Sequence, residues 1–306
     1  MTSMAEAATR AADTAEALWT GPLRSDAEPV PVLHHAPEAD HIARREALRP
    51  LYEAIVERIG APTLLGGTAT GPSVRWCTRE RILLLSGDTG RAVLTVRDAN
   101  SFEDGEHSAF DHVDVGREGK PHRFDELPYT WQLDRKGPGT APYVTYNGVI
   151  VVNDWGHAVT GIELMLASWV EQYPVQSPGD WIGFTLWINR DWRRDVIIGY
   201  QPDDHGRELF ATIDDRGPEQ TPERQERMRE RGWQELNEHQ WWSTHLPETD
   251  PRSPCRIAEL VIAECRARRA TRPAETTAHS ASANDNGELW LTGLGLPTHP
   301  SRGEHF

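Results

Sequence analysis

The sequence predicts an α+β fold of two lobes, each a small antiparallel sheet in meander order covered by helices. Three observations carry this expectation. Apolar residues recur at helical spacing in a few separated segments. Between those segments lie short alternating runs bounded by Gly, Asp and Asn, as strands and tight turns require. The length, 306 residues, also exceeds an average domain of roughly 150.

Residues 1–39 are Ala-rich, then Pro-rich around Pro29, Pro31 and Pro37, and read as a mobile tail with a short Ala-rich helix near Ala5 to Leu18. The first lobe, 40–138, opens on a helix whose apolar face is Leu48, Leu51, Tyr52, Ile55 and Ile59, stopped by Gly60 and Pro62. Pro50 must start or kink it. Runs at 73–77, 81–86 and 91–97 follow as a meander. From Glu103 to Lys136 the chain is charged and rich in Gly and Pro, which predicts a long connection with no helix after Asp98.

The second lobe, 139–270, begins with a hairpin around Asn147-Gly148, a pair that supplies the positive φ angles of a type I′ turn. Val159, Ile162, Leu166, Trp169, Val170 and Tyr173 then make one helical stripe, with Pro174 as its stop. Ile182, Phe184, Leu186 and Ile188 alternate with Gly183, Thr185 and Trp187, placing Trp187 on the opposite sheet face. Two more strands are expected at 195–200 and 208–213. Thr221 as N-cap with Pro222 behind it opens a polar helix, and Ser253-Pro254 opens the last one. Residues 271–306 read as a polar linker and tail with a short strand from Glu288. Both lobes run helix then three strands, and 74–79 can be laid on 185–190 with Trp and Arg in register. Duplication is one explanation, and the commonness of helix-plus-meander units is the other.

Charge narrows the partners. Asp and Glu number 47 against 32 Lys and Arg, a formal charge of -15 that repels phosphate backbones and anionic lipid. Nucleic acid and membranes are thus unexpected partners. Cys77, Cys255 and Cys265 lack metal-ligand spacing, and an odd set fits a reducing compartment. The stretch Met1–Trp19 has no apolar leader segment, and a cytoplasmic location is expected.

Tests for chemistry leave little. No phosphate-binding glycine loop, nucleophile elbow or zinc motif occurs, and the sequence implies no cofactor. The densest set of candidate ligands is Glu103, Glu106, His107, Asp111, His112 and Asp114. Two histidines five apart do not share a helix face as a four-residue spacing does, so a metal or acid/base role for His107, His112, Glu103 and Asp111 is a minority option beside a charged surface loop. The 12 tryptophans are the stronger signal. Trp187, Trp192, Trp241 and Trp242 are the candidate partner anchors, since adjacent Trp241 and Trp242 cannot both face inward in a strand and exposed aromatics anchor interfaces.

From Trp155 to Ala270 the order of elements, with Thr221-Pro222-Glu223 running into Met228-Arg229-Glu230-Arg231-Gly232-Trp233, resembles the type III secretion chaperone-like and YbjN-like domains of bacteria. That resemblance implies a compact α/β unit, a protein-binding surface, frequent dimerisation and no catalytic set. The leading expectation is therefore a non-enzymatic, chaperone-like or adaptor module of the bacterial cytoplasm, binding another protein of basic character or a second copy of itself. The alternatives are an immunity protein that neutralises a basic toxin, and an unfamiliar enzyme using the Glu103 to Asp114 cluster.

Overall fold

A computed structural model describes residues 4–23, 28–112, 123–134, 150–188, 191–204, 206–216, 218–283 and 287–298. It is α+β, with two antiparallel sheets and helices packed on both. Helix α1 (Met4–Thr20) buries Ala8, Ala11, Ala12 and Ala15. Its neighbour is α2 (His41–Ile59), and small side chains let two helices approach closely. Strand β1 (Val30–His34) lies between them in sequence. Asp40 caps α2 by accepting from the Ala43 N–H at 2.8 Å, and Gly60 ends it at φ 88°.

The first sheet then forms from β2 (Leu64–Gly67), β3 (Ser73–Cys77), β4 (Arg81–Gly87) and β5 (Arg91–Asp98). Helix α3 (Ala99–His112), a 3-10 turn at Phe124–Glu126 and β6 (Trp131–Asp134) come next, followed by α4 (Trp155–Gln176). The second sheet is built from β7 (Ile182–Ile188), β8 (Asp191–Asp203) and β9 (Gly206–Asp214), then α5 (Pro222–Glu230), β10 (Glu235–Leu236), β11 (Trp241–Pro247) and α6 (Ser253–Ala267). Beyond it run β12 (Thr276–Ala283) and β13 (Glu288–Trp290). The strand orders are β1-β5-β4-β3-β2-β6-β13 and β10-β11-β9-β8-β7-β12.

Helix α4 holds the two sheets together. It is apolar nearly all round, which suits a helix enclosed on every side. Trp169 meets Phe184 of β7 edge-on at 6.0 Å, and Tyr173 meets Trp131 of β6 in the same manner at 6.0 Å. Side chains from both sheets and from α1, α2, α4 and α6 thereby share one apolar core. Among the described residues no helix is long and apolar enough to cross a membrane.

Several expectations need correction. The first 39 residues are not simply a tail. The Ala5 to Leu18 helix is present and packed, Arg81 Nη1 binds the Trp19 and Gly21 carbonyls at its end (2.5 and 2.9 Å), and β1 pairs with β5. A helix does follow Asp98, whose carboxylate accepts from the Ser101 N–H at 2.9 Å. Its inward side chains, Phe102, Glu106 and Phe110, are too mixed in polarity to show a stripe. Neither Pro50 nor Pro174 breaks its helix. Pro174 leaves the Val170 carbonyl without its helical donor, and Arg45 Nη1 of α2 replaces that donor at 3.1 Å. Residues 276–283, read as linker, are β12 against β7. The strand expected from Glu288 joins the first sheet beside β6. The Asn147-Gly148 hairpin falls outside the described residues. The aligned Trp76 and Trp187 do not take equivalent places, since Trp76 is in the core and Trp187 is on the face turned away from it.

Candidate partner-binding surface

The inner face of the second sheet carries Ile182, Phe184, Leu186, Ile188, Val196, Ile198, Tyr200, Leu209, Ala211, Ile213 and Trp242, all buried. By strand alternation their neighbours point the other way, and register sorts them into rows. One row is Gly183, Gly199, Phe210 and His245; the next is Thr185, Ile197, Thr212 and Ser243. Thr185, Ile197, Phe210, Thr212, Ser243 and His245 are half-buried. Among the described residues no helix lies over them.

The two glycines have a defined purpose. A Cβ on Gly199 would stand 2.5 Å from the Phe210 ring, so the ring lies down on bare backbone. Trp181 leans toward Gly183, where a Cβ would sit 3.7 Å from its ring, and is 39% exposed. Phe210 stacks on His245 at 6.1 Å and 22°, and Glu208 fixes that imidazole through Nδ1 at 2.8 Å while accepting from Gln201 at 2.9 Å. The result is a flat shelf of aromatic rings on a rigid sheet.

Of the four tryptophans expected to anchor a partner, two lie on this side. Trp187 is half-buried and its ring meets that of His279 on β12 at 3.7 Å. Trp241 is half-buried, with the Arg216 guanidinium 5.9 Å from its ring. Trp242 points inward and is fully buried, so it is a core residue and not an anchor. The side chain of Trp192 lies outside the described residues. Trp181, Ile197 and Phe210 were not among the candidates. Strand alternation around Ile182 to Ile188 placed the outer face, but the Gly183 to Gly199 register that makes the shelf depends on pairing between strands.

As far as His112 the His/acid segment is helix, not loop. Glu106 is buried and pairs with Arg75 Nη2 at 2.5 Å, and the Arg75 guanidinium lies between the Phe102 and Tyr129 rings, 5.1 Å from each. Gln132 completes the set when its amide oxygen faces Arg75, at 2.9 Å from Nη2 and 3.2 Å from Nε. Burial raises the Glu106 and Glu103 carboxyls above their ordinary range. Among the described residues no three His, Cys, Asp or Glu side chains converge as metal ligands. The Asp111 and His112 side chains lie outside those residues.

A denser ionic group, unforeseen in the sequence, joins α2, α4 and the turn after β11. Arg44 pairs with Glu171, Arg45 with Glu248, and the Tyr200 hydroxyl donates to Glu248. Burial, reinforced by Glu248, pushes the Tyr200 hydroxyl well above its usual range. These groups are spent on one another and act as a joint between elements. Burial likewise pushes the Cys77 and Cys265 thiols up to about 12, which keeps them protonated and poorly nucleophilic.

Comparison with protein-family models, with curated proteins and with solved structures gave no match.

Proposed function

We propose that this chain is a protein-binding module of the bacterial cytoplasm, chaperone-like or adaptor in kind, which receives its partner on the outer face of the second sheet. The observation that carries the reading is the aromatic shelf of Trp181, Phe210 and His245 on a sheet face over which no described helix lies. Aromatic rings held rigid by backbone and by a Glu208 hydrogen bond supply contact area at little entropic cost. The chaperone-like resemblance of residues 155–270 supports the same reading, since it too implies a protein-binding surface.

A photo-crosslinking amino acid at Phe210, in the full chain expressed in a bacterial host, tests this. Discrete adducts of defined mass are expected from position 210 and not from Glu57, which is exposed on α2. Identical adduct patterns from both positions, or none from 210, would overturn the reading.

A further inference from the structure

Resting on that docking surface, we propose that its occupant is an amphipathic helix of a partner protein, apolar along one stripe and flanked by Lys or Arg. Four observations converge. Among the described residues, both edges of the sheet are partly occupied against an added strand. One edge is the two-residue β10, and beside it the His245 N–H of β11 is already held by Gln234 Oε1 at 3.2 Å. At the other edge β12 is covered by a bridge from Ala278 to Thr298, with the Ala278 N–H on the Pro297 carbonyl at 2.7 Å. The face is therefore the freer site for a partner, and there a helix packs better than an isolated extended chain that would leave its backbone unpaired.

The chain also shows how a helix sits on such a face. On the first sheet α3 lies across the outer surface, seating Phe102 over Arg75 and pairing Glu106 with that guanidinium, which leaves Arg75 only 1% exposed. The second sheet has the corresponding surface without a described helix over it.

Charge then fixes the flanks. Arg216, which lies by Trp241 on this face, is already engaged, gripping both carboxylate oxygens of Asp214. Around the rim Asp204, Glu235 and Glu238 are exposed, on a chain of formal charge -15. A basic helix would be both steered and oriented by that field.

The probe is a synthetic amphipathic helix with a leucine stripe flanked by lysines, titrated against the full chain at physiological ionic strength. Two comparison peptides carry the same composition scrambled, and glutamates in place of lysines. The lysine-flanked helix should bind at least about tenfold more tightly than either. Phe210→Ser and Trp181→Ser should each weaken it about tenfold, Thr212→Arg should do so by charge alone without touching the core, and Glu57→Ala should leave it unchanged. Equal binding of the scrambled peptide, or indifference to Phe210→Ser, Trp181→Ser and Thr212→Arg together, would overturn the helix. Should crosslinking from position 210 succeed while this helix fails, the docking surface stands and only the helix falls; failure of both removes both.

Discussion

Arg45 on α2 donates to both carboxylate oxygens of Glu248, which lies 203 residues later in the chain, at 2.7 and 3.1 Å. The same guanidinium reaches the Val170 carbonyl on α4 at 3.1 Å. One side chain thus ties a helix of the first lobe to α4 and to the turn that follows β11. Both partners are nearly buried, and removing one charge of such a pair strands the other. Arg45→Met should lower the unfolding free energy by about 3–5 kcal/mol. Arg45→Met with Glu248→Met should cost less than the two single changes added together, because no orphan charge remains. Urea unfolding of the three variants checks both statements.

Two carboxylates in different surroundings, Glu46 on α2 and Glu106 on α3, should respond to acid in opposite directions. Glu46 is held down to about 2, chiefly by its hydrogen bonds from Arg49 and then from Arg45. Its folded pKa lies below the unfolded one, so its contribution is complete above the ordinary glutamate range and is lost as pH falls through about 2. The stability gap between the wild type and Glu46→Gln should therefore be widest at neutral pH and shrink on acidification. Glu106 is the reverse case, because burial raises it. Its favourable contribution is present below the ordinary value and fades as pH rises through the raised one. Glu106→Gln should consequently gain on the wild type as pH rises. Unfolding free energies at a series of pH values read both slopes.

These contacts also explain what the sequence could and could not disclose. Helix α2, the β3 to β5 meander, α4, β7 to β9, and the Thr221-Pro222 start of α5 rest on local periodicity and capping, and all were legible. Helix α4 running through Pro174 was not, because the replacement donor is Arg45, far away in sequence. Strand β12 was hidden for a related reason. Beyond Thr276 and Thr277 its Ala and Ser residues carry little strand preference, and what holds them is pairing with β7. The same applies to the shelf: Trp181 and Phe210 belong together only because Gly183 pairs with Gly199 and Gly199 with Phe210.

Gly161 on α4 marks where the end of the described chain locks onto the core. A Cβ there would meet the Leu294 carbonyl and the Phe124 ring, each at 2.9 Å, and the Gly293 carbonyl at 3.2 Å. Two of those three neighbours are backbone and cannot rotate aside. Gly161→Ala should cost about 1–3 kcal/mol through overpacking. Its effect should be local first, speeding hydrogen exchange at the Val152 N–H, which donates to the Gly295 carbonyl at 3.1 Å. Uniform loss of protection across the chain would count against this account.

Trp241 and Trp242 are adjacent in β11 but should behave as opposites. Trp242 is fully buried on the inner face, and Arg229 lies 6.0 Å from its ring. Trp242→Ala should lose about 3–5 kcal/mol, as large-to-small changes of buried aromatics do. Trp242→Phe should lose much less, since the indole N–H meets no hydrogen-bond partner among the described residues and its removal leaves nothing unsatisfied. Trp241 is half-buried on the outer face and Trp181 is 39% exposed at its rim. Trp241→Ala and Trp181→Ala should each change stability by under about 1 kcal/mol. The adducts formed from position 210, by contrast, should weaken with Trp181→Ala and persist with Trp242→Phe. Thermal unfolding and adduct yield, measured on the same four variants, separate the residues that hold the sheet together from those that it presents. A Trp181→Ala protein that unfolds as readily as Trp242→Ala would mean that the shelf belongs to the core, and the docking surface would have to be sought elsewhere.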